Sequence, residues 1–347
     1  MNKLTKVGCS ALCGSLAAIA SANAGELTVS GGADLTFTSI GGSTTGQPIG
    51  LGSNYTLKGS GELDNGWTYD LTTAIANGGA FSAANITIDT GSLGKININQ
   101  GNSGNGIAAF DDKMPTAWEE AWGAGLSGGV KLVLGSGASQ NVMYTSPTIM
   151  GTTITATYAH EYGASDVSDK GTKSADSGSG RSYDGTINFN PSLGTEILSG
   201  LDIFIGAATV ESRNNSATEE DQYEGVIGST YDIGPLSLGV QISGHYTGEE
   251  SSLTTYHSYK NSAFGIAFNI NDDLSVSYGE YKTRKAGYAN DSVQSGEATR
   301  VVEVASWQVA YTMGGASMRL ADVHVDNNLF SANDDRDATV VSLGLAF

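Results

Sequence analysis

The sequence predicts an all-β fold, a transmembrane antiparallel β-barrel of about 16 strands. Three observations predict it. A short secretory signal precedes the rest of the chain. Apolar and polar side chains alternate with a period of two over most of the 347 residues. Short turns also alternate with long polar connections, which is the layout of a barrel that spans a membrane.

The first 24 residues predict a signal peptide. Lys3 and Lys6 begin it, an apolar stretch follows, and Ala22 and Ala24 have the small-residue spacing of a signal-peptidase site. The apolar stretch is too short for a membrane anchor. Both cysteines of the chain lie inside this segment, so the mature chain has neither a disulfide framework nor a cysteine nucleophile.

The mature chain, residues 25–347, is predicted to be one barrel domain, and it is strongly acidic. Removing the two signal lysines from 17 basic residues leaves 15 against 36 acidic ones, a net charge of −21. Such a balance excludes a nucleic-acid-binding surface, which needs a basic footprint. It favours a surface that attracts cations.

Alternation predicts the strands in order. Between the second and third strands, the "DNG" sequence at 64–66 forms a tight turn, because Asn and Gly accept a positive φ angle. The predicted strands are 26–39, 54–63, 67–76, 84–90, 95–100, 140–147, 152–162, 181–190, 200–211, 223–233, 236–247, 256–270, 274–282, 299–311, 316–325 and 337–347. The connection at 191–200 fits least well, because it is long for a turn at the short-turn end.

A soluble β-sandwich would show the same alternation, so other features favour the barrel. Closure removes the exposed edges of so large a sheet. Aromatic residues tend to lie near strand ends, as in membrane-interface girdles. The polar face carries charges that suit a wet lumen: Asp34, Lys58, Glu62, Asp70 and Asp184.

Glu303 is an exception to this pattern. It shares its parity with Val301, Ala305 and Trp307, which are expected to face lipid. It therefore lies at the membrane interface or at a subunit contact, or the predicted register is wrong at this point.

Three stretches and the last residue resemble the general porins of Gram-negative bacteria, particularly alphaproteobacterial ones. The stretches are "GELTVSGGADLTF" (25–37), "NVMYTSPTIMGTTITATYAH" (141–160) and "VASWQVAYTMGGASMRLA" (304–321). The resemblance implies a water-filled channel of the cell outer membrane, through which small hydrophilic solutes and ions diffuse passively. It also implies that the terminal aromatic, Phe347, is read by the outer-membrane assembly machinery; the alternative is an ordinary last strand that happens to end in Phe.

Residues from about 100 to 139 break the strand rhythm and are too long for an ordinary loop. Pro115 and Gly123 predict the start and end of a short helix, with Trp118 and Trp122 on one face. The resemblance implies that this segment is an inward-folded third loop that narrows the barrel. The alternative is a surface loop with a solvated acidic helix.

The resemblance implies the acidic candidates of the constriction, whereas inward parity gives the basic ones and the predicted helix gives the anchors. Trp118 and Trp122 are candidate anchors of the loop against the wall. The candidate constriction residues are the acids Asp111, Asp112, Glu119 and Glu120 and the opposing bases Lys58, Arg319, Lys131 and Arg300, of which the last two are placed less firmly. The mature charge of −21 favours cations, but much of it lies on loop tips where screening limits its reach, so we expect weak to moderate cation selectivity.

We expect no enzyme activity, no cofactor and no metal centre. The four histidines are scattered over different strands, whereas an outer-membrane protease or lipase would need a His with a Ser or Asp partner. Acidic loop tips could bind divalent cations, although solvated charge is the simpler interpretation. A structural or adhesive barrel and a solute-specific porin remain alternatives.

The expected partners are outer-membrane lipids, lipopolysaccharide, small solutes and further copies of the chain. Family resemblance, together with the small and apolar outward face of the first strands, predicts a homotrimer. That face includes Leu27, Ala33, Leu57, Ile86 and Ile98.

Overall fold

A computed structural model describes residues 26–42, 46–102, 104–137, 139–163, 179–191, 198–212, 220–248, 258–286 and 300–346. Within them, 16 strands form one closed antiparallel barrel, in which each strand pairs with its neighbours in sequence and the first pairs with the last. The predicted signal peptide and Phe347 lie outside the described residues, and so does His257. No helix in the described part of the chain is long and apolar enough to cross a membrane.

The predicted fold class is confirmed, and each predicted strand overlaps one observed strand. The strands are β1 (Leu27–Ile40), β2 (Ile49–Glu62), β3 (Thr68–Ile75), β4 (Phe81–Asp89), β5 (Lys95–Gln100), β6 (Asn141–Thr145), β7 (Thr152–Ala159), β8 (Ser179–Phe189), β9 (Leu201–Ser212), β10 (Gln222–Ile233), β11 (Leu236–Tyr246), β12 (Ser258–Asn269), β13 (Leu274–Ala286), β14 (Val301–Met313), β15 (Ala316–Asp326) and β16 (Arg336–Ala346). The largest difference is at β2, which begins five residues before its predicted start because Ile49–Ser53 pair with β1.

The two faces of the wall follow the alternation of side chains. Over most of the barrel the outward face is apolar and exposed, as at Leu35, Ile205 and Ile242. Such a face suits lipid. The inward face carries the predicted polar residues; for example, Arg319 of β15 is bonded to Asp34 of β1.

We call residues 101–140, between β5 and β6, the inner segment, because its described residues pack against inward-facing side chains of the wall. Within this inner segment, the described residues contact β8–β16. A segment outside a closed wall could not touch strands around half of its circumference. A buried apolar cluster joins the segment to the inner wall, for example Ile107 and Phe110 to Phe204.

In the halves of β14, β15 and β16 nearest the long loops, the usual arrangement of the wall is inverted, with apolar side chains inward and polar side chains outward. Their inward side chains are apolar and buried: Val302, Val304, Val323, Val325, Ala338 and Val340. Their outward side chains are charged or polar: Glu303, Asp322, His324, Asp326, Asp337 and Thr339. The outward position of Glu303 confirms the predicted register, so its charge needs another explanation.

Candidate pore constriction

Two wall side chains hold the middle of the inner segment. Gln308 of β14 accepts a hydrogen bond from the Glu119 amide at 3.0 Å, and its own amide nitrogen donates to the Glu119 carbonyl at 2.5 Å. Ser277 of β13 accepts from the Ala117 amide at 2.9 Å. The Thr116 hydroxyl donates to the side-chain oxygen Oε1 of Gln308 at 3.0 Å. Residues 116–119 are thereby fixed against the inner face.

Two wall carboxylates hold the ends of the segment. Asp184 of β8 accepts from the Ile107 amide at 3.3 Å and from the Ser136 amide at 3.1 Å. Glu224 of β10 accepts from the Leu134 and Gly135 amides at 2.8 Å and 2.7 Å. Charged acceptors make the stronger kind of hydrogen bond. Both ends of the segment therefore converge on Asp184.

A row of inward glycines makes room for the segment. Gly239, Gly265 and Gly279 are directly paired across β11, β12 and β13. A Cβ atom on Gly239 would come within 2.4 Å of Pro115, and one on Gly265 within 2.8 Å of the Pro115 carbonyl oxygen. These glycines are not among the residues that the sequence predicts for the site. Each has inward parity, but only the register shows that they form one row.

The structure does not contain the predicted helix from Pro115 to Gly123, so this prediction is wrong. Only one turn forms, in which the Gly123 and Ala124 amides donate to the Glu120 carbonyl at 2.9 Å and 3.1 Å. The side chain of Gln308 takes the Glu119 amide and carbonyl, which a helix would have used for its own hydrogen bonds. A helix of nine residues would also be marginal by itself. Trp118 and Trp122 nevertheless both pack, partly buried, against the apolar cluster.

The acidic candidates gather on one stretch of the inner segment. Asp112 and Glu119 are exposed, whereas Asp111 is half-buried and Glu120 is buried. Burial, aided by the charge of Asp112, raises the pKa of Asp111 to about 7. The same two causes raise the pKa of Glu120 and, with a counteracting effect of Arg319, that of Glu119. These carboxylates interact closely enough to weaken one another as acids.

Arg319 is the basic candidate that lies nearest to these acids. Its guanidinium is 5.6 Å from the Trp118 ring and donates to both carboxylate oxygens of Asp34 at 3.1 Å and 3.3 Å. It lines a cavity of about 500 Å³ together with Glu119 and the turn acids Asp272 and Asp273. The charge of Arg319 is thus largely balanced by its neighbour Asp34.

The structure does not bring the other three basic candidates together with Arg319. Lys58 lies inward on β2 and pairs with Asp70 of β3 at 3.3 Å. Lys131 belongs to the inner segment itself, so it is not part of an opposing wall. Arg300 lies just before β14, at the long-loop end, where it donates to the Phe330 carbonyl at 2.7 Å. The opposing basic set is therefore thinner than the sequence suggested.

The described residues contain no group of three or more His, Cys, Asp or Glu side chains that could hold a metal ion. Of the acidic loop tips, the one at 333–337 is described. There Arg336 binds Asp334 at 2.6 Å and, with Asn328, keeps the pKa of this carboxyl below its usual range.

The chain thus combines a closed wall of 16 strands with a long segment that packs against its inner face. A family model described as Gram-negative porin matches residues 8–347. The chain belongs to the Gram-negative porin family. A comparison with curated proteins gives no significant match.

Solved structures show the same fold at low sequence identity. This porin is similar to an anion-selective porin from Comamonas acidovorans, with 14% identity, 93% of this chain and 99% of that chain covered, and a TM-score of 0.63. It is similar to the trimer form of OmpT from Vibrio cholerae, with 10% identity, coverage of 93% and 100%, and a TM-score of 0.65. It is also similar to the outer membrane channel DcaP of Acinetobacter baumannii, with 10% identity, 94% of this chain and 98% of that chain covered, and a TM-score of 0.64. The porin is thus an outer-membrane channel protein.

Proposed function

We propose that this porin lets small hydrophilic solutes and ions diffuse passively through a lumen that the inner segment narrows. The observation that carries this proposal is the position of residues 116–119, which are bonded to the inner wall at Ser277 and Gln308. Glu119 is exposed at this point, beside a cavity of about 500 Å³. In this proposal Asp111, Asp112, Glu119 and Glu120 form the acidic side of the constriction, and Trp118 and Trp122 anchor it.

The channel is proposed to be weakly cation-selective. Acidic side chains outnumber basic ones on the inner segment and in the cavity beside it, and Asp34 balances the charge of Arg319. A narrow passage of one sign focuses the field and attracts counter-ions. The raised pKa values of Asp111 and Glu120 reduce this charge near neutral pH and keep the preference modest. The similar porin from Comamonas acidovorans is described as anion-selective, so ion preference has to be measured for this chain.

The experiment measures the reversal potential of purified protein in planar bilayers under a potassium chloride gradient at low salt, above pH 8. We expect Glu119→Gln/Glu120→Gln to reduce the cation preference and leave the fold intact. The matched control is Asp334→Asn/Asp335→Asn, which removes the same charge from the loop before β16. Screening over roughly 8 Å at physiological salt limits the reach of such loop charges. Equal effects of the two pairs, or anion preference of the unaltered protein, would overturn the proposal.

The protein is also proposed to be a homotrimer in a membrane of lipid and lipopolysaccharide, delivered by the outer-membrane assembly machinery. The outward face of the first strands supports a subunit contact, because it is apolar and contains the small residue Ala33 beside Leu27 and Leu57. One similar solved protein is described as a trimer form. Light scattering of the unheated protein in mild detergent tests this, and a monomer mass would refute it.

A further inference from the structure

An outward charged patch crosses β12–β16 where the barrel would otherwise face lipid. At its centre, Lys282 of β13 pairs with Glu280 at 2.8 Å and with Glu303 of β14 at 3.1 Å. On one side lie Lys260 and Arg284. On the other side, His324 of β15 contacts Asp326 at 3.1 Å and Asp337 of β16 at 2.5 Å, and Asp322 completes the patch. We call these nine residues the outer patch.

The height of the outer patch places part of it within the apolar belt. Ile242, a lipid-type residue that is 54% exposed, lies six residues beyond the short-turn end of β11. Glu280 and Asp322 lie six residues beyond the same ends of β13 and β15. With a rise of roughly 3.3 Å per residue and a tilt of about 45°, this is roughly 14 Å into the wall. Acyl chains at this height would surround two outward carboxylates with hydrocarbon, which is unfavourable even though Lys282 and Thr339 contact them.

The inverted polarity of the wall gives the same result. The buried valines of β14 and β15 face inward and pack against the inner segment; for example, a Cβ atom on Gly128 would lie 2.7 Å from Val304. Their outward neighbours are the charged residues of the outer patch. The outward apolar surface is therefore interrupted on the long-loop side of these strands, which indicates that protein covers this part of the wall.

Within the outer patch, the basic residues lie toward β12 and the acidic residues toward β16. Lys260 and Arg284 are directly opposite each other on β12 and β13, which is an unfavourable pairing of like charges. Neither has an ion-pair partner among the described residues. The acidic end lies on β15 and β16, where His324 links Asp326 to Asp337. Each end thus presents charge that the other end would complement.

The basic residues on one side of β14 lie at the same heights in the wall as the acidic residues on the other side. Arg284 and Asp326 each lie ten residues from the short-turn ends of β13 and β15. Lys260 and Asp337 each lie nine residues from the short-turn ends of β12 and β16. Two barrels in one membrane have the same orientation, so a two-fold axis between them runs along the membrane normal. Such an axis would bring the basic end of each copy to the acidic end of the other, at the same height.

We propose that the outer patch is a two-fold contact with a second copy of this chain, centred on Ala305 of β14. This small outward residue lies between Glu303 and Trp307 and permits close approach. The patch extends over four residues of strand length, a height of roughly 9 Å, so five strands spaced by about 4.8 Å give roughly 200 Å² per copy. An area of this size supports a weak, reversible contact. Because the contact is separate from the apolar face of β1–β5, it would link one trimer to another.

The test uses the absence of cysteine from the mature chain. Ala305→Cys, reconstituted in liposomes, is treated with a short bis-maleimide and run on heated and unheated gels. We expect covalent dimers on the heated gel and species larger than a trimer on the unheated gel. Ala207→Cys, outward on β9, is the control and should give at least fivefold less dimer. A dimer yield no higher than this control would show that lipid covers the patch and would overturn the proposal; so would dimers confined to trimer-sized species.

Charge exchange tests the pairing itself. In the Ala305→Cys protein, Arg284→Asp or Asp326→Arg should each lower the dimer yield at least fivefold, and the double exchange should restore most of it. Glu211→Arg is the matched control, because Glu211 lies outward on β9, ten residues from its short-turn end. Unchanged heat-induced mobility shift and unchanged conductance verify that each variant is folded. Single exchanges without effect, or failure of the double exchange to restore the yield, would refute the ion pairs.

Discussion

Asp184 provides the sharpest test of how the inner segment is held, because one buried carboxylate fixes both of its ends. It is 6% exposed and accepts from the Ile107 and Ser136 amides, which are 29 positions apart in the sequence. Asp184→Asn preserves the size of the side chain. The amide oxygen could accept from one of these donors, whereas the amide NH₂ group would face the other.

The expected loss follows from these two bonds. A hydrogen bond to a charged group contributes about 1.5–3 kcal/mol, and an unsatisfied buried donor adds a cost of similar size. Weakening one bond and losing the other should therefore destabilise the docked segment by about 3 kcal/mol. At about 1.4 kcal/mol per tenfold change, the population of undocked segments should rise by roughly two orders of magnitude.

Single-channel recording measures this population as current noise and as transitions to a higher conductance, and limited proteolysis reports exposure of residues 101–140. The matched control is Asp202→Asn on the inner face of β9, because its one ion pair with the described part of the segment is to Lys113 at 3.8 Å. If the Asp184 and Asp202 variants show the same noise and cleavage, Asp184 does not hold the segment in place.

Two further predictions concern the same segment. Trp118→Ala/Trp122→Ala should increase current noise and change the conductance, because both rings pack against the apolar cluster. The control Trp307→Ala removes a ring on the outward face and should leave the noise unchanged. Unchanged noise in the Trp118/Trp122 double variant would argue against the anchor. Cation preference should rise with pH, because Asp111, whose pKa is raised to about 7, is neutral below that pH and ionised above it, and the pKa of Glu120 is raised as well. Reversal potentials between about pH 5 and pH 9 measure this, and a flat profile would contradict the acidic constriction.

The sequence was sufficient to predict the wall because local pattern and closure act on every strand. Alternation identified all 16 strands, and the "DNG" turn at 64–66 fixed the hairpin of β2 and β3. A slip of one residue would exchange the two faces of a strand, so parity also located Asp34 and Asp184 inside. Strand ends such as the start of β2 were less predictable, because pairing with β1 continues through residues rich in glycine.

The inner segment could not be predicted in the same way, because its conformation depends on contacts distant in sequence. Pro115 and Gly123 are reasonable helix ends, but the amides between them are bonded to Ser277 and Gln308. Those partners are 160 and 189 positions away in the sequence. Local propensity is a weak guide where tertiary hydrogen bonds of this kind compete with a helix.

The inverted polarity of β14–β16 shows what hydrophobicity reports in this barrel. Val302 and Val304 are fully buried, although they point into the lumen, because the inner segment covers them. Trp307 is 66% exposed on the outward side, where lipid is expected, and Glu303 is on that same side. Apolar character therefore marks contact with either lipid or protein, and the two are separated only by register and height. The same reasoning makes a charge at belt height informative, because an outward carboxylate at the level of Ile242 indicates a surface that lipid does not cover.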